Sequence, residues 1–173
     1  RTVKEGSLFV AIKGYEVDGH KFINQAVENG AKAVIFEEGA DYKEFINNKE
    51  VTFIMAPNTR LALSLCSCNF YDNPSKKMKV IGVTGTKGKT TTTYMIKSIL
   101  EKAGHKVGLI GTIANYIGED SLGDSSRTTP ESLELQEMFA KMCNEKVEFV
   151  VMEVSSQALK LGRVTGTNFD VGV

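Results

Sequence analysis

The residues from Val80 to Thr93 read Val-Ile-Gly-Val-Thr-Gly-Thr-Lys-Gly-Lys-Thr-Thr-Thr-Thr: an apolar strand, a glycine-containing loop and the start of an amphipathic helix. Each part suits polyphosphate. Glycines at 85 and 88 let backbone N–H groups curl around phosphate oxygens, and the following helix points its positive end at the same place. The Lys89 ammonium can reach β- and γ-phosphates, and the Thr90 hydroxyl can ligate Mg²⁺. Val83 stands five residues before Gly88, where the general phosphate-loop pattern has glycine, so the strand before and the helix after identify the motif, not the bare spacing. Four successive threonines are poor helix formers and need a reason other than propensity.

Two further groups bear on the same chemistry. Glu153 ends the apolar run Phe149-Val150-Val151-Met152, and in an open parallel sheet ligands sit beyond the carboxyl ends of strands. A carboxylate there can hold Mg²⁺ directly or through water, or else cap the next helix. Thr128 and Thr129 precede Pro130 and Glu131, a pattern that predicts a helix with Thr129 as N-cap and Pro130 at its first position. Two hydroxyls at that end could also hold an anionic substrate.

The elements that must position these groups alternate. Strands are expected at Leu8–Ile12 (buried), Ala33–Phe36 and Val51–Met55, with a helix over Phe22–Val27 closed by Gly30, a short helix from Tyr42 to Asn47, and a helix capped by Asn58 and stopped by Asp72–Ser75. Ser75–Lys79 reads as a solvated basic linker. Then follow the strand Val80–Val83, a helix from Thr90 to Ala103, the strand Val107–Ile110, and a Gly- and Ser-containing loop from Asn115 to Arg127. The helix from Thr129, the strand Phe149–Met152, a turn or short helix from Ser155 to Leu161 and a last apolar run, Phe169–Val173, complete the order. This is an α/β chain, a small N-terminal unit (residues 1–75) before part of a P-loop-type parallel-sheet domain (76–173). The apolar ending and the opening on Arg1 suggest a piece of a longer protein.

The chain has 173 residues, 42% hydrophobic, and 21 basic against 21 acidic side chains. A formal charge of zero gives no long-range field for nucleic acid or an anionic membrane, so phosphate must be gripped locally. There is no apolar run of membrane-spanning length and no signal-peptide core, which suits a soluble, cytoplasmic protein. Cys66, Cys68 and Cys143 match no metal or redox spacing and read as small buried hydrophobes.

Gly85-Thr86-Lys87-Gly88-Lys89-Thr90-Thr91 resembles the Gly-Thr-x-Gly-Lys-Thr-Thr signature of the Mur ligases, a family that includes folylpolyglutamate synthetase. Three other segments are similar to the branch that adds the third amino acid of the peptidoglycan precursor. They are Gly6–Ala11 with Gly14 and Asp18-Gly19-His20; Arg127–Ser132; and Met152–Ser156 with Gly162-Arg163-Val164. The resemblance implies three domains: one receiving the uridine end of the substrate, one binding ATP, and one, beyond Val173, binding the amino acid. It implies an ATP-dependent ligase acting on UDP-N-acetylmuramoyl-dipeptide through an acyl phosphate, with Gly85 to Thr91 on ATP, Thr90 and Glu153 on Mg²⁺, and Lys89 and Glu153 in catalysis. Thr128, Thr129, Ser155 and Arg163 become the candidates for the UDP-substrate, and the amino acid is meso-diaminopimelate or lysine. Only Arg1 remains of the family's Asp-Ser-Arg start, Lys87 stands where Asn is frequent, and Gln157 where His is frequent. The 173 residues alone are expected to make no amide bond. A folylpolyglutamate synthetase-like ligase and a non-catalytic nucleotide-binding protein are the alternatives.

Overall fold

The computed structural model describes residues 3–40, 50–125 and 127–173. Arg1 and the helix expected between Tyr42 and Asn47 lie outside the described residues. The chain forms two compact units, one ending at Leu63 and one from Ser64 to Val173. No helix among the described residues is long and apolar enough to cross a membrane.

The first unit holds a three-stranded parallel sheet in the order β1 (Leu8–Val10), β2 (Ala33–Glu37), β3 (Thr52–Ala56), with Val34 opposite Phe9 and Phe53. α1 (Ile23–Glu28) follows a 3₁₀ turn over Gly19–Phe22, and Gly30 takes φ +96° just past it, as a helix-ending glycine should. Ala11, Ile23, Val34 and Phe36 form the core. The first strand is shorter than its apolar run and edge-exposed: Leu8 faces solvent, because a parallel edge strand is covered on fewer sides than the run suggests. Asn58 Oδ1 accepts from Leu61 N at 3.0 Å, as expected of an N-cap, and starts α2 (Thr59–Phe70), whose later turns belong to the second unit.

The second unit is a six-stranded sheet in the order β7-β6-β5-β8-β4-β9. β4 (Lys79–Val83), β5 (Val107–Ile110), β8 (Phe149–Glu153) and β9 (Val171–Gly172) are parallel; β6 (Ala114–Ile117) and β7 (Asp120–Asp124) are antiparallel. β4, β5 and β8 are apolar at nearly every position because helices cover both faces. Val80, Ile110, Val150 and Met152 face Leu135, Phe139 and Met142 of α4 (Ser132–Asn144). Val83, Val107, Leu109 and Val151 face Tyr94, Ile96 and Leu100 of α3 (Lys89–Lys102). The twofold alternation of β8 thus carries Glu153 to the face of Val151, the α3 face.

Three expectations are corrected. The segment expected to be a loop from Asn115 is a β-hairpin: β6 and β7 are joined by Gly118-Glu119, with Gly118 at φ +58°, the conformation that two-residue hairpin turns demand. The linker reading of Ser75–Lys79 fails because the segment packs: Ser75 is buried with Oγ accepting from Asn168 N at 3.0 Å, Met78 joins the core, and only the lysines are exposed. The helix expected from Thr129 begins at Ser132 after Glu131 at the cap position, and Thr129 is not its N-cap.

Candidate active site

β4 and β8 are neighbours in register, with Val83 opposite Glu153, so the phosphate loop and the Glu153 carboxylate leave the same edge of the sheet. The loop turns on Gly85 (φ +140°) and Gly88 (φ +82°), backbone conformations that side chains disfavour. Gly88 precedes α3 and gives it no side-chain cap. The first-turn N–H groups are therefore left to an external acceptor, the arrangement that holds phosphates. Lys89 Nζ donates to Gly85 O at 2.8 Å, so its stem crosses the loop it serves. Thr86, Lys87 and Thr91 are exposed along the same segment. Of the other threonines of the run, Thr93 is buried and donates to Thr90 O at 2.8 Å, which offsets the poor helix propensity.

Glu153 is 1% exposed. Its Oε1 accepts from Thr90 Oγ1 at 3.0 Å and from Thr112 N at 2.9 Å, and its Oε2 lies 3.1 Å from the Thr112 hydroxyl. A β-carbon on Gly111 would sit 2.6 Å from Oε1, so glycine is required for the main chain to come this close. The helix-cap alternative for Glu153 is set aside: α5 (Ser156–Lys160) is capped by Ser155, whose Oγ accepts from Ala158 N at 3.1 Å.

The sequence candidates 128, 129, 155 and 163 converge on the end of β8. Thr129 Oγ1 donates to the Glu153 carbonyl at 3.0 Å and accepts from Ser155 N at 3.0 Å. That use of its hydroxyl is why it caps no helix. Thr128 Oγ1 is 3.0 Å from Thr112 Oγ1. Arg163, 9% exposed, pairs with Glu131 at 2.9 Å and donates to Thr129 O at 3.3 Å, while its Nε is buried without a partner. Thr90, Glu153, Thr128, Thr129, Ser155 and Arg163 are thus one connected network, while Lys89 stays on the loop. Gly111 and Thr112 were missed in the sequence, and Glu131, read there only as part of a helix start, also pairs with Arg163. The available signal was position: Gly111-Thr112 follows β5, which abuts β8, so it leaves the sheet at the same edge.

Among the described residues no three His, Cys, Asp or Glu side chains come together as a metal cluster. The Thr90 and Glu153 oxygens nevertheless suit Mg²⁺, which takes hard oxygen ligands and keeps waters and substrate phosphates for the rest of its shell. They are 3.0 Å apart, roughly the spacing of neighbouring ligands about an octahedral ion of that size. Elsewhere, burial raises the Cys68 and Cys143 thiols; Cys68 is buried as expected, whereas Cys66 and Cys143 are only half-buried.

The chain matches two family models: "Mur ligase family, catalytic domain" over residues 1–71 and "Mur ligase middle domain" over residues 83–173. It is 56% identical over 169 residues to the UDP-N-acetylmuramoyl-L-alanyl-D-glutamate--2,6-diaminopimelate ligase of Clostridium botulinum, covering 98% of this chain and 34% of that protein. A solved structure of a ligase of that name aligns over 99% of this chain and 34% of its own, with a TM-score of 0.77 and 25% identity. The MurF ligase from Thermotoga maritima in complex with ADP aligns over 89% of this chain and 30% of its own, with a TM-score of 0.54 and 28% identity. The chain therefore spans about a third of the length of the relatives it matches.

Proposed function

Since the chain belongs to the Mur ligase family, we propose that it supplies the uridine-receiving and ATP-binding parts of a UDP-N-acetylmuramoyl-tripeptide synthetase that uses 2,6-diaminopimelate. The name and 56% identity of the clostridial relative support that amino acid over lysine. Residues 1–75 receive the uridine end of the UDP-muramoyl-dipeptide, and residues 76–173 hold ATP. The protein works in the cytoplasm, where ATP is, and makes the cell-wall precursor on which cell shape and division depend. A domain for the amino acid completes the enzyme.

The substrate carboxylate attacks the γ-phosphorus of ATP: an O–P bond forms and the bond to ADP breaks. The amino-acid nitrogen then attacks the acyl carbon, inorganic phosphate leaves, and the amine loses a proton. No nucleophilic side chain is needed, so this chain positions and neutralises. Gly85 to Gly88 and the start of α3 cradle the phosphates, and Lys89 balances charge on the transferring group. Mg²⁺, when bound through Thr90 and Glu153, screens the phosphate oxygens. Thr128, Ser155 and Arg163 bind the UDP-substrate beside them, and the fully buried Thr129 holds the end of β8 in place for them.

The observation that carries this reading is the 3.0 Å contact between Thr90, at the start of the phosphate-loop helix, and Glu153, at the end of the adjacent strand. The experiment is Lys89→Ala against Lys87→Ala in the full-length ligase. Removing one preorganised electrostatic donor costs about 10²–10³ in kcat, roughly 3–4 kcal/mol. Lys89→Ala should fall in that range with an unchanged melting temperature, and Lys87→Ala, whose exposed side chain has no required role in the motif, should lose much less. Equal losses, or full activity in Lys89→Ala, would remove the phosphate-loop assignment. A folylpolyglutamate synthetase-like activity is disfavoured by the 56% identity, over 98% of this chain, to the clostridial diaminopimelate ligase. A non-catalytic role would appear as nucleotide binding without turnover.

A further inference from the structure

The carboxylate of Glu153 has three donors, and two belong to one residue. Thr90 touches Oε1 alone; Thr112 touches Oε1 through its N–H and Oε2 through its hydroxyl. Donors on a single oxygen leave the carboxylate free to turn about its last side-chain bond, whereas donors on both fix its plane. Because Glu153 is buried, water does not replace a lost donor. The Thr112 hydroxyl is also 3.0 Å from that of Thr128. It is the donor there as well, so its single hydrogen is shared between the Glu153 carboxylate and the Thr128 oxygen. A continuous line runs from Thr90 through Glu153 and Thr112 to Thr128.

We propose that Thr112 is a positioning residue that sets the Glu153 carboxylate for a divalent cation on the phosphate loop and links that orientation to the Thr128 segment. This rests on the reading of the site as a nucleotide–Mg²⁺ site. The main-chain contact is secured by Gly111, where a β-carbon would collide with Oε1. The second oxygen depends on the hydroxyl, so Thr112→Val, close in shape, removes the contacts with Oε2 and with Thr128 and leaves the main-chain contact in place.

The test is calorimetric binding of ADP to the full-length ligase with and without MgCl₂, which needs no turnover. Outer-shell partners of metal ligands are typically worth 10–100-fold in metal affinity. In Thr112→Val the Mg²⁺-dependent gain in ADP affinity should shrink by roughly 10-fold or more. ADP affinity without Mg²⁺ should stay at the wild-type value, and Thr112→Ser should restore the gain. Thr128→Val should cost less, and the double variant Thr112→Val/Thr128→Val no more than Thr112→Val alone, because both cut the same line. A full Mg²⁺ gain in Thr112→Val, or equal loss with and without Mg²⁺, would overturn the role of Thr112; additive losses would overturn its link to Thr128. If the valine variant does not fold, Thr112→Ala, which adds no volume, decides by the same criteria. Wild-type protein that gains nothing from Mg²⁺ would sink the parent reading as well, whereas a gain retained without the hydroxyl sinks only this inference.

Discussion

Thr90 Oγ1 donates to Glu153 Oε1 across 3.0 Å although the two residues are 63 positions apart. One begins the helix after β4 and the other ends β8, and the pairing of those strands with Val83 opposite Glu153 closes the gap. Small displacements on either side of this contact should therefore be read out in activity before they are read out in stability.

Gly111→Ala is the sharpest such displacement. The new methyl carbon would stand 2.6 Å from Glu153 Oε1, and the carboxylate is pinned and cannot swing aside at no cost. Overpacking of this kind costs about 1–3 kcal/mol of stability. We expect kcat of the full-length ligase to fall by at least 10-fold, about 1.4 kcal/mol of barrier, with a melting temperature lowered by a few degrees. Gly172→Ala, where an added carbon meets nothing within 4 Å, should alter neither. Steady-state kinetics beside thermal melts separates the two.

Arg163 has a structural duty in its pair with Glu131 and a proposed one on the UDP-substrate, and one variant tests both. Its ion pair with Glu131 is largely buried, so Arg163→Ala leaves that carboxylate with only the more distant Arg127, at 3.8 Å. Breaking a fully buried pair costs about 3–5 kcal/mol; with Glu131 17% exposed, about 2–3 is expected. If Arg163 also grips the UDP-substrate, KM for that substrate should rise far more than KM for ATP. A destabilised enzyme with both constants unchanged would leave Arg163 as a packing residue alone.

Acid should loosen the first unit through Asp18. Its Oδ1 accepts from His20 N at 3.0 Å and lies 2.6 Å from His20 Nδ1, whose ring takes the Glu37 N–H on its other nitrogen. The backbone N–H of His20, and then its ring, hold the Asp18 carboxyl below its ordinary 3.8. A lowered folded-state value means the unfolded chain binds the proton more readily. The contribution is thus complete above about pH 5 and is lost as pH falls through the lowered value. Asp18→Asn should flatten the acid limb of melting temperature against pH below about 5; an identical limb in both proteins would refute the assignment.

What was legible in the sequence was what is decided locally. The phosphate loop announces itself because strand, glycines and helix are contiguous, and Glu153 because it ends an apolar run. The misses share a long-range cause. Thr129 has good N-cap chemistry, but its hydroxyl is taken by the Glu153 carbonyl 24 residues away, and α4 starts later. β7 is polar, a weak strand by propensity, and it forms because β6 offers a ladder across a two-residue turn. Thr112 is an ordinary residue after a strand until the sheet order sets β5 against β8.

That sheet order also governs how the second unit comes into being. β4 and β5 are close in the chain but are not neighbours in the sheet; β8 lies between them, pairing Lys79 with Phe149 on one side and Val107 with Phe149 on the other. During synthesis the phosphate loop thus emerges with no adjacent strand to lean on and waits for some seventy further residues before its scaffold can close. Pairings of such sequence separation form slowly. The nascent loop and its helix are therefore an orphaned segment for that interval, with an apolar strand edge uncovered.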